Sequence, residues 1–292
     1  MDPNDITVLV RVKDEKSDIA GSLVAIALQS YQNYSLLIQD ESQNVSILND
    51  PYIVKIFDLF ALKGKRIFFT RDWDSKGGCF ALFKIISLAR SDYLWLLDGD
   101  VVPESNCLEK LAEAMDQENC GWIQGLKLNI DNAYGFSKFQ HRLIQDIAVE
   151  DPTKLNMYYS YAQDKIIPLA VGDSANILIN RKKLLAVGGF SFYEQIQISH
   201  QYEIPGYDWI ATALMAAKYG GKLRTGAIAW HLAHNIPGRA TEFFMARPII
   251  LEFIKRKVSS EDYKKVQEFV EGLDEMDAGE RMTRPLRYDD KL

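Results

Sequence analysis

Cysteine is scarce in this chain: Cys79, Cys107 and Cys120 are the only three, an odd set with no CxxC spacing. That argues against a disulfide framework and against a zinc site, and leaves three small thiols suited to burial. No apolar run approaches the roughly 20 residues that a bilayer-spanning helix needs. Met1 to Asp5 is polar and acidic, unlike a secretion signal, so the expected location is the cytoplasm, at most peripheral to a membrane. An excess of positive charge is also missing. With 34 basic against 40 acidic residues the formal net charge is -6, which disfavours a nucleic-acid partner. Neither an internal repeat nor a low-complexity tract is present.

What the chain does have is the material for a core, since 47% of its 292 residues are hydrophobic and 25% charged. Ile6-Thr7-Val8-Leu9-Val10 is an unbroken apolar run, the pattern of a parallel strand buried on both faces. Ser17 can cap a following helix in which Ile19, Leu23, Ile26 and Ala27 recur at helical spacing. Strands then fall at Leu36–Ile38, Ile67–Phe69 and Tyr93–Leu97, with helices around Ile53–Phe60 and Phe80–Ala89 between them. Another helix is expected to open at Pro103-Glu104, and another around Phe139–Ile147. Trp122–Gln124 and Asn176–Ile179 read as strands, and a helix follows Gly206 until Gly220-Gly221 stops it. Past His234, Phe243–Ile254 and Tyr263–Phe269 suggest two amphipathic helices, and the stretch from Asp274 reads as a loose polar tail. The alternation implies an α/β fold: a Rossmann-like, mostly parallel sheet flanked by helices, spanning residues 1–236, with a C-terminal helical extension over 237–292.

Ligands of such sheets gather at the carboxyl ends of strands, and three of the strands end in acids. Asp98-Gly99-Asp100 is the sharpest case. Two carboxylates on alternate positions past a buried strand invite a cation, and oxygen ligands suit Mn2+ or Mg2+. The alternative is a turn whose acids only cap the helix at Glu104. Asp72-Trp73-Asp74 has the same spacing, but Arg71 and Lys76-Gly77-Gly78 around it suggest a solvated loop. Asp208, between Tyr207 and Trp209 at a helix start, is either a cap or a carboxylate with its pKa raised enough to accept a proton. His231 and His234 follow a strand-like segment; each can meet a metal or phosphate, or be an ordinary half-buried histidine.

In order along the chain these motifs resemble the inverting GT-A glycosyltransferases of family 2, which include bacterial polysaccharide, cellulose and chitin synthases. ITVLVRVKDE, residues 6–15, is similar to the family's opening strand and turn, with Arg11 and Lys13 in place of the commoner Pro and Tyr. The resemblance assigns Arg11, Lys13, Glu15, Asp40, Glu41, Lys76, Asp98 and Gly99 to the nucleotide sugar, with Asp40 and Glu41 at the base. Asp100 falls on the metal-binding acid, and His231 on a late histidine that joins the metal in some members. His234, Asn235 and Arg239 lie near enough in sequence to help with a diphosphate. Gly188-Gly189-Phe190 is similar to the turn beneath the acceptor pocket, to which Gly188, Gly189, Tyr207 and Trp209 are assigned. Tyr207-Asp208 stands where the family has Glu-Asp, so the resemblance leaves Asp208 as the catalytic base. The family's Ala-Arg-Asn signature is not matched; Leu82 and Phe83 occupy its place, with Lys76 or Lys84 as substitutes.

The resemblance thus implies a metal-dependent transfer of a sugar from a nucleotide diphosphate, a UDP-sugar above all, to a hydroxyl of a glycan or other acceptor. A nucleotidyltransferase would need a glycine-rich phosphate loop after the first strand, and residues 11–18 contain no glycine. A non-catalytic glycan- or nucleotide-binding module is the other alternative. The C-terminal helices can dock on the first domain, pair with a second subunit or lie on a membrane, and docking is the simplest use of their apolar faces.

Overall fold

The computed structural model describes residues 6–13, 16–72, 78–131, 164–194, 206–233 and 239–283. The helix expected around 139–147 lies outside them, as do Glu15, Asp74, Lys76, His234 and Asn235.

The amino-terminal half alternates as its hydrophobic pattern requires: β1 (Ile6–Val12), α1 (Lys16–Ala27), β2 (Tyr34–Asp40), α2 (Pro51–Leu62), β3 (Ile67–Arg71), α3 (Gly78–Leu88) and β4 (Tyr93–Asp98). Local chemistry sets the boundaries. Asp50 caps α2 by accepting from the Tyr52 amide, and Pro51 sits in the first turn where no amide donor is missed. β5 (Val101–Pro103), α4 (Cys107–Glu118), β6 (Trp122–Asp131), β7 (Ile166–Pro168) and β8 (Ile177–Asn180) follow. Then come α5 (Arg181–Ala186), α6 (Tyr207–Tyr219), β9 (Gly221–Ala233), α7 (Arg239–Lys255) and α8 (Ser260–Thr283).

The structure departs from two expectations. Pro103 does not open a helix: it ends β5, which pairs antiparallel with β9 through Val101↔His231 and Pro103↔Ala229, and helix α4 starts at Cys107. The chain past Asp274 is not a loose tail as far as Thr283, because α8 continues through it.

Among the described residues the strands form one sheet in the order β3-β2-β1-β4-β8-β6-β9-β5, with β7 also on β9. β3, β2, β1 and β4 are mutually parallel, β8 runs against both β4 and β6, and the long β6–β9 pair is parallel again. Alternate side chains go to opposite faces. Val8, Val10, Leu36, Ile38, Trp95 and Leu97 pack with α1, α2 and α4, while Leu9, Leu37, Leu94 and Leu96 pack with α3 and α6. The two buried tryptophans on these faces have their indole donors satisfied, Trp95 by Asn176 Oδ1 at 3.0 Å and Trp122 by the Thr212 carbonyl at 2.9 Å.

The carboxy-terminal helices complete the second face. Ala246, Ile250 and Ile254 of α7 and Val266 and Val270 of α8 are buried there. Phe269 meets Trp209 edge-on at 6.1 Å and Phe253 meets Phe192 at 6.2 Å, so the extension packs against the helix that carries Asp208.

Candidate active site

The carboxyl ends of β1, β2 and β4 form a floor. Arg11 is in register with Gln39 on one side and Asp98 on the other, and the three share a sheet face. The Arg11 guanidinium is a junction: its Nη1 donates to the Tyr207 hydroxyl at 2.6 Å and lies 4.0 Å from Asp98 Oδ1, and its Nε lies 3.4 Å from Glu41 Oε1. Two of the residues at which the sequence departs from the family's pattern, Arg11 and Tyr207, therefore bond to each other across 196 positions.

Asp40 has a different position from its neighbour. It is wholly buried, its Oδ1 accepts from the Ser42 amide, and its Oδ2 accepts from the Ser46 hydroxyl and the Ile47 amide. That carboxylate builds the turn after β2 and is not open to the cleft, whereas Glu41 reaches the floor through Arg11. Lys13 is exposed.

Asp98-Gly99-Asp100 is held from below, where the buried Ser22 hydroxyl of α1 donates to the Gly99 carbonyl at 2.8 Å. The enclosing protein raises the Asp98 carboxyl above the usual range; Arg11 opposes this and Asp100 adds to it. Asp100 is buried, with Oδ2 3.1 Å from His231 Nε2, a distance set by the pairing of β5 with β9. An octahedral Mn2+ or Mg2+ with bonds of about 2.1 Å has neighbouring ligands about 3 Å apart, so this pair fits two adjacent positions of one ion. Among the described residues no group of three His, Cys, Asp or Glu side chains closes on one point. The remaining positions would fall to water and phosphate oxygens, as is usual for these ions.

Asp208 lies in the first turn of α6, but the cap position is Gly206, in the left-handed region at φ 84°. Its Oδ2 accepts from the Ser174 amide at 2.9 Å and its Oδ1 from the Trp209 amide at 3.1 Å. Burial and the neighbouring Asp173 carboxylate push the Asp208 carboxyl up to about 6, against the pull of the Ser174 amide and Lys127.

Lys127 and Asp173 belong to the same cleft, and the sequence reading passed over both. The Lys127 ammonium sits 2.8 Å from Asp173 Oδ2. Burial works against its charge, but Asp173, Asp98 and Asp208 together hold it above the usual lysine range. Asp173, although burial acts to raise it, is held below the usual carboxylate range by Lys127 and by the Ala175 amide. Asp98, Lys127, Asp208 and Asp173, from β4, β6, α6 and the loop before β8, thus lie near enough to act on one another's charge. The loop is fixed on every side. Gln124 Oε1 accepts from the Asp173 amide, Gln124 Nε2 donates to the Asn176 carbonyl, and Thr212 bonds both the Gly172 carbonyl and the Gly172 amide.

The Gly-Gly-Phe turn supports this cleft from behind. Gly188 and Gly189 take positive φ values of 99° and 58°, which side chains resist, and they deliver Phe190 edge-on to Tyr207 at 6.1 Å. Trp209, assigned to the acceptor pocket, is instead a core residue against Phe269. Asp72 pairs with Lys84 at 2.7 Å, which ties down the substitute proposed for the missing phosphate signature; Leu82 is in the core.

The parallel strands β3-β2-β1-β4, continued by β8, β6 and β9 and flanked by helices, make a mixed α/β fold that matches the GT-A glycosyltransferase architecture. The family model "Glycosyl transferase family 2" matches residues 7–187, and the chain belongs to that family. Among solved structures it is similar to Staphylococcus aureus TarS residues 1–349, with TM-score 0.58 and 11% identity over 89% of this chain and 68% of that one. The same TarS fragment in complex with UDP matches with TM-score 0.60 and 12% identity over 97% and 76%. The mannosyltransferase PcManGT of Pyrobaculum calidifontis, in complex with GDP-Man and Mn2+, matches with TM-score 0.60 and 13% identity over 88% and 67%. Comparison with curated proteins gave no match. No helix among the described residues is long and apolar enough to cross a membrane.

Proposed function

We propose that this chain transfers a sugar from a nucleotide diphosphate, a UDP-sugar by preference, to a hydroxyl of a glycan or other acceptor, with inversion at the anomeric carbon. One observation carries the reading: the Arg11 guanidinium donates to the hydroxyl of Tyr207, the residue before Asp208, and lies 4.0 Å from Asp98 Oδ1, so the expected donor end and the expected base meet at one junction. Neighbours that bind UDP, UDP-GlcNAc and GDP-Man support a nucleotide-sugar donor.

In this reading the nucleotide lies over Arg11 and Glu41, with Asp40 shaping the turn beneath it. Asp98 faces the ribose and diphosphate. Mn2+ or Mg2+ held by Asp100 and His231 would neutralise charge on the diphosphate as it leaves. A carboxyl pushed up to about 6 is mostly ionised at neutral pH and still takes a proton more readily than an ordinary aspartate. Asp208 removes the proton of the acceptor hydroxyl as its oxygen bonds to the anomeric carbon. The bond from that carbon to the diphosphate oxygen breaks on the opposite side, and the electron pair departs with the nucleoside diphosphate.

Thermal shift of the purified chain with nucleoside diphosphates and Mn2+ tests the donor half. A ligand at 100 times its Kd adds about 2.7 kcal/mol, or roughly 4–5 °C in a chain of this size. UDP with Mn2+ should give the largest rise, and no rise with any nucleotide would remove the proposal. Tyr207→Phe tests the floor: losing the hydroxyl partner of Arg11 should raise the donor KM roughly ten-fold with kcat little changed.

A further inference from the structure

Two charged side chains in the cleft have no part in the reaction as drawn, although the structure devotes an ordered loop to them. Lys127 extends from β6 just past an irregularity between Gly125 and Leu126, and Asp173 meets it at 2.8 Å from the loop before β8. The next residue on that loop is Ser174, whose amide donates to Asp208 Oδ2, and the one after is Ala175, whose amide donates to Asp173 Oδ1. Asp173 and Asp208 are thus bound to consecutive amides of one turn. Gln124 and Thr212 pin that turn to β6 and α6.

We propose, resting on the reading of Asp208 as the base, that the Lys127–Asp173 pair is its positioning device: the pair locks the turn that aims the Asp208 carboxylate and sets one fixed positive and one fixed negative charge beside it. The two charges act in opposite senses. Asp173 favours the protonated form of Asp208 and Lys127 the ionised form. Among the described residues Asp98, from β4, also acts on Asp208, in the same sense as Asp173. A lysine without its aspartate would hold the base too weakly basic to take a proton from a hydroxyl. An aspartate without its lysine would leave about half of the base protonated at neutral pH. Neither residue touches the reacting atoms in this account.

The test reads Asp208 directly. The full chain is prepared with carbon-13 at the aspartate side-chain carboxyls, the Asp208 signal being the one missing from Asp208→Asn, and is titrated by NMR. Lys127→Met should move the Asp208 midpoint up, and Asp173→Asn should move it down, each by about one pH. Lys127→Arg, which keeps the charge, should restore the midpoint of the unaltered chain. In saturating Mn2+ the acid limb of the transfer rate should shift in the same directions as the midpoints. Midpoints that stay in place, or that move the same way in both variants, overturn the proposal. Because the titration needs no turnover, the two readings separate: shifted midpoints in a chain inactive on every donor would refute the proposed function alone. Unmoved midpoints in an active chain would refute the pair alone.

Discussion

Asp208→Asn should give a folded protein that still binds nucleotide, transfers sugar about 100- to 10,000-fold more slowly, and melts at a higher temperature than the unaltered chain at pH 7.5. The loss of rate follows from removing the proposed base; an amide nitrogen and oxygen offer no basic site. The gain in stability follows from the raised carboxyl. A group that holds its proton more tightly in the folded chain than in the unfolded one favours folding in its protonated form, so its contribution is complete at low pH and declines as pH rises through about 6. Above that value the ionised Asp208 is a burden of at most about 3 kcal/mol. Asparagine removes the charge but can accept from only one of the Ser174 and Trp209 amides, which returns about 1 kcal/mol of the gain. A net rise of roughly 2–6 °C is expected at pH 7.5, falling to about a third of that at pH 5, where the folded aspartate is protonated but the unfolded one is still ionised. Calorimetry at the two pH values checks this, and a melting point that falls at pH 7.5 would mean that the carboxylate is held by more favourable contacts than burial opposes.

The strands of the parallel half were legible because burial on both faces leaves continuous apolar runs, and the turns after them because acids interrupt those runs abruptly. Ile6–Val12 and Tyr93–Asp98 illustrate both features. The turn at Pro103 was misread because proline and glutamate in sequence suggest a helix start, and only the remote β9 supplies the antiparallel partner that makes Val101–Pro103 a strand. Lys127 was invisible for a related reason. The strand that carries it looks finished at Gly125, a residue that weakens strands, yet here glycine is required: a side chain at 125 would run into the amide of Asn176. Asp173 sits in a short Gly-Asp-Ser stretch with no periodic pattern, and nothing local marks it as facing Asp208. The Arg11–Tyr207 bond shows the same limit in its simplest form, since two departures from a family pattern explain each other only when the ends of β1 and α6 meet.

Asp100→Asn should abolish the Mn2+-dependent part of nucleotide binding and reduce transfer at least 100-fold, without destabilising the metal-free chain. The side chain is nearly enclosed, at 3% exposure, and faces His231 Nε2 at 3.1 Å. Asparagine keeps an oxygen for that contact and the shape of the site, so the turn held by Ser22 has no reason to move. What it loses is the charge that a hard divalent ion seeks, and His231 alone, a nitrogen ligand, is a poor substitute for such an ion. In a cleft that already contains Glu41, Asp98, Asp173 and Asp208 against Arg11 and Lys127, removing one enclosed carboxylate lowers repulsion in the absence of metal. The unaltered chain should gain several degrees with UDP and Mn2+ together and far less with UDP and EDTA; Asp100→Asn should behave in Mn2+ as the unaltered chain does in EDTA. Equal stabilisation of both proteins by UDP and Mn2+ would mean that the ion is held elsewhere. Transfer that survives both EDTA and Asp100→Asn would mean that Arg11, Lys127 and the strand-end amides carry the diphosphate charge without any metal.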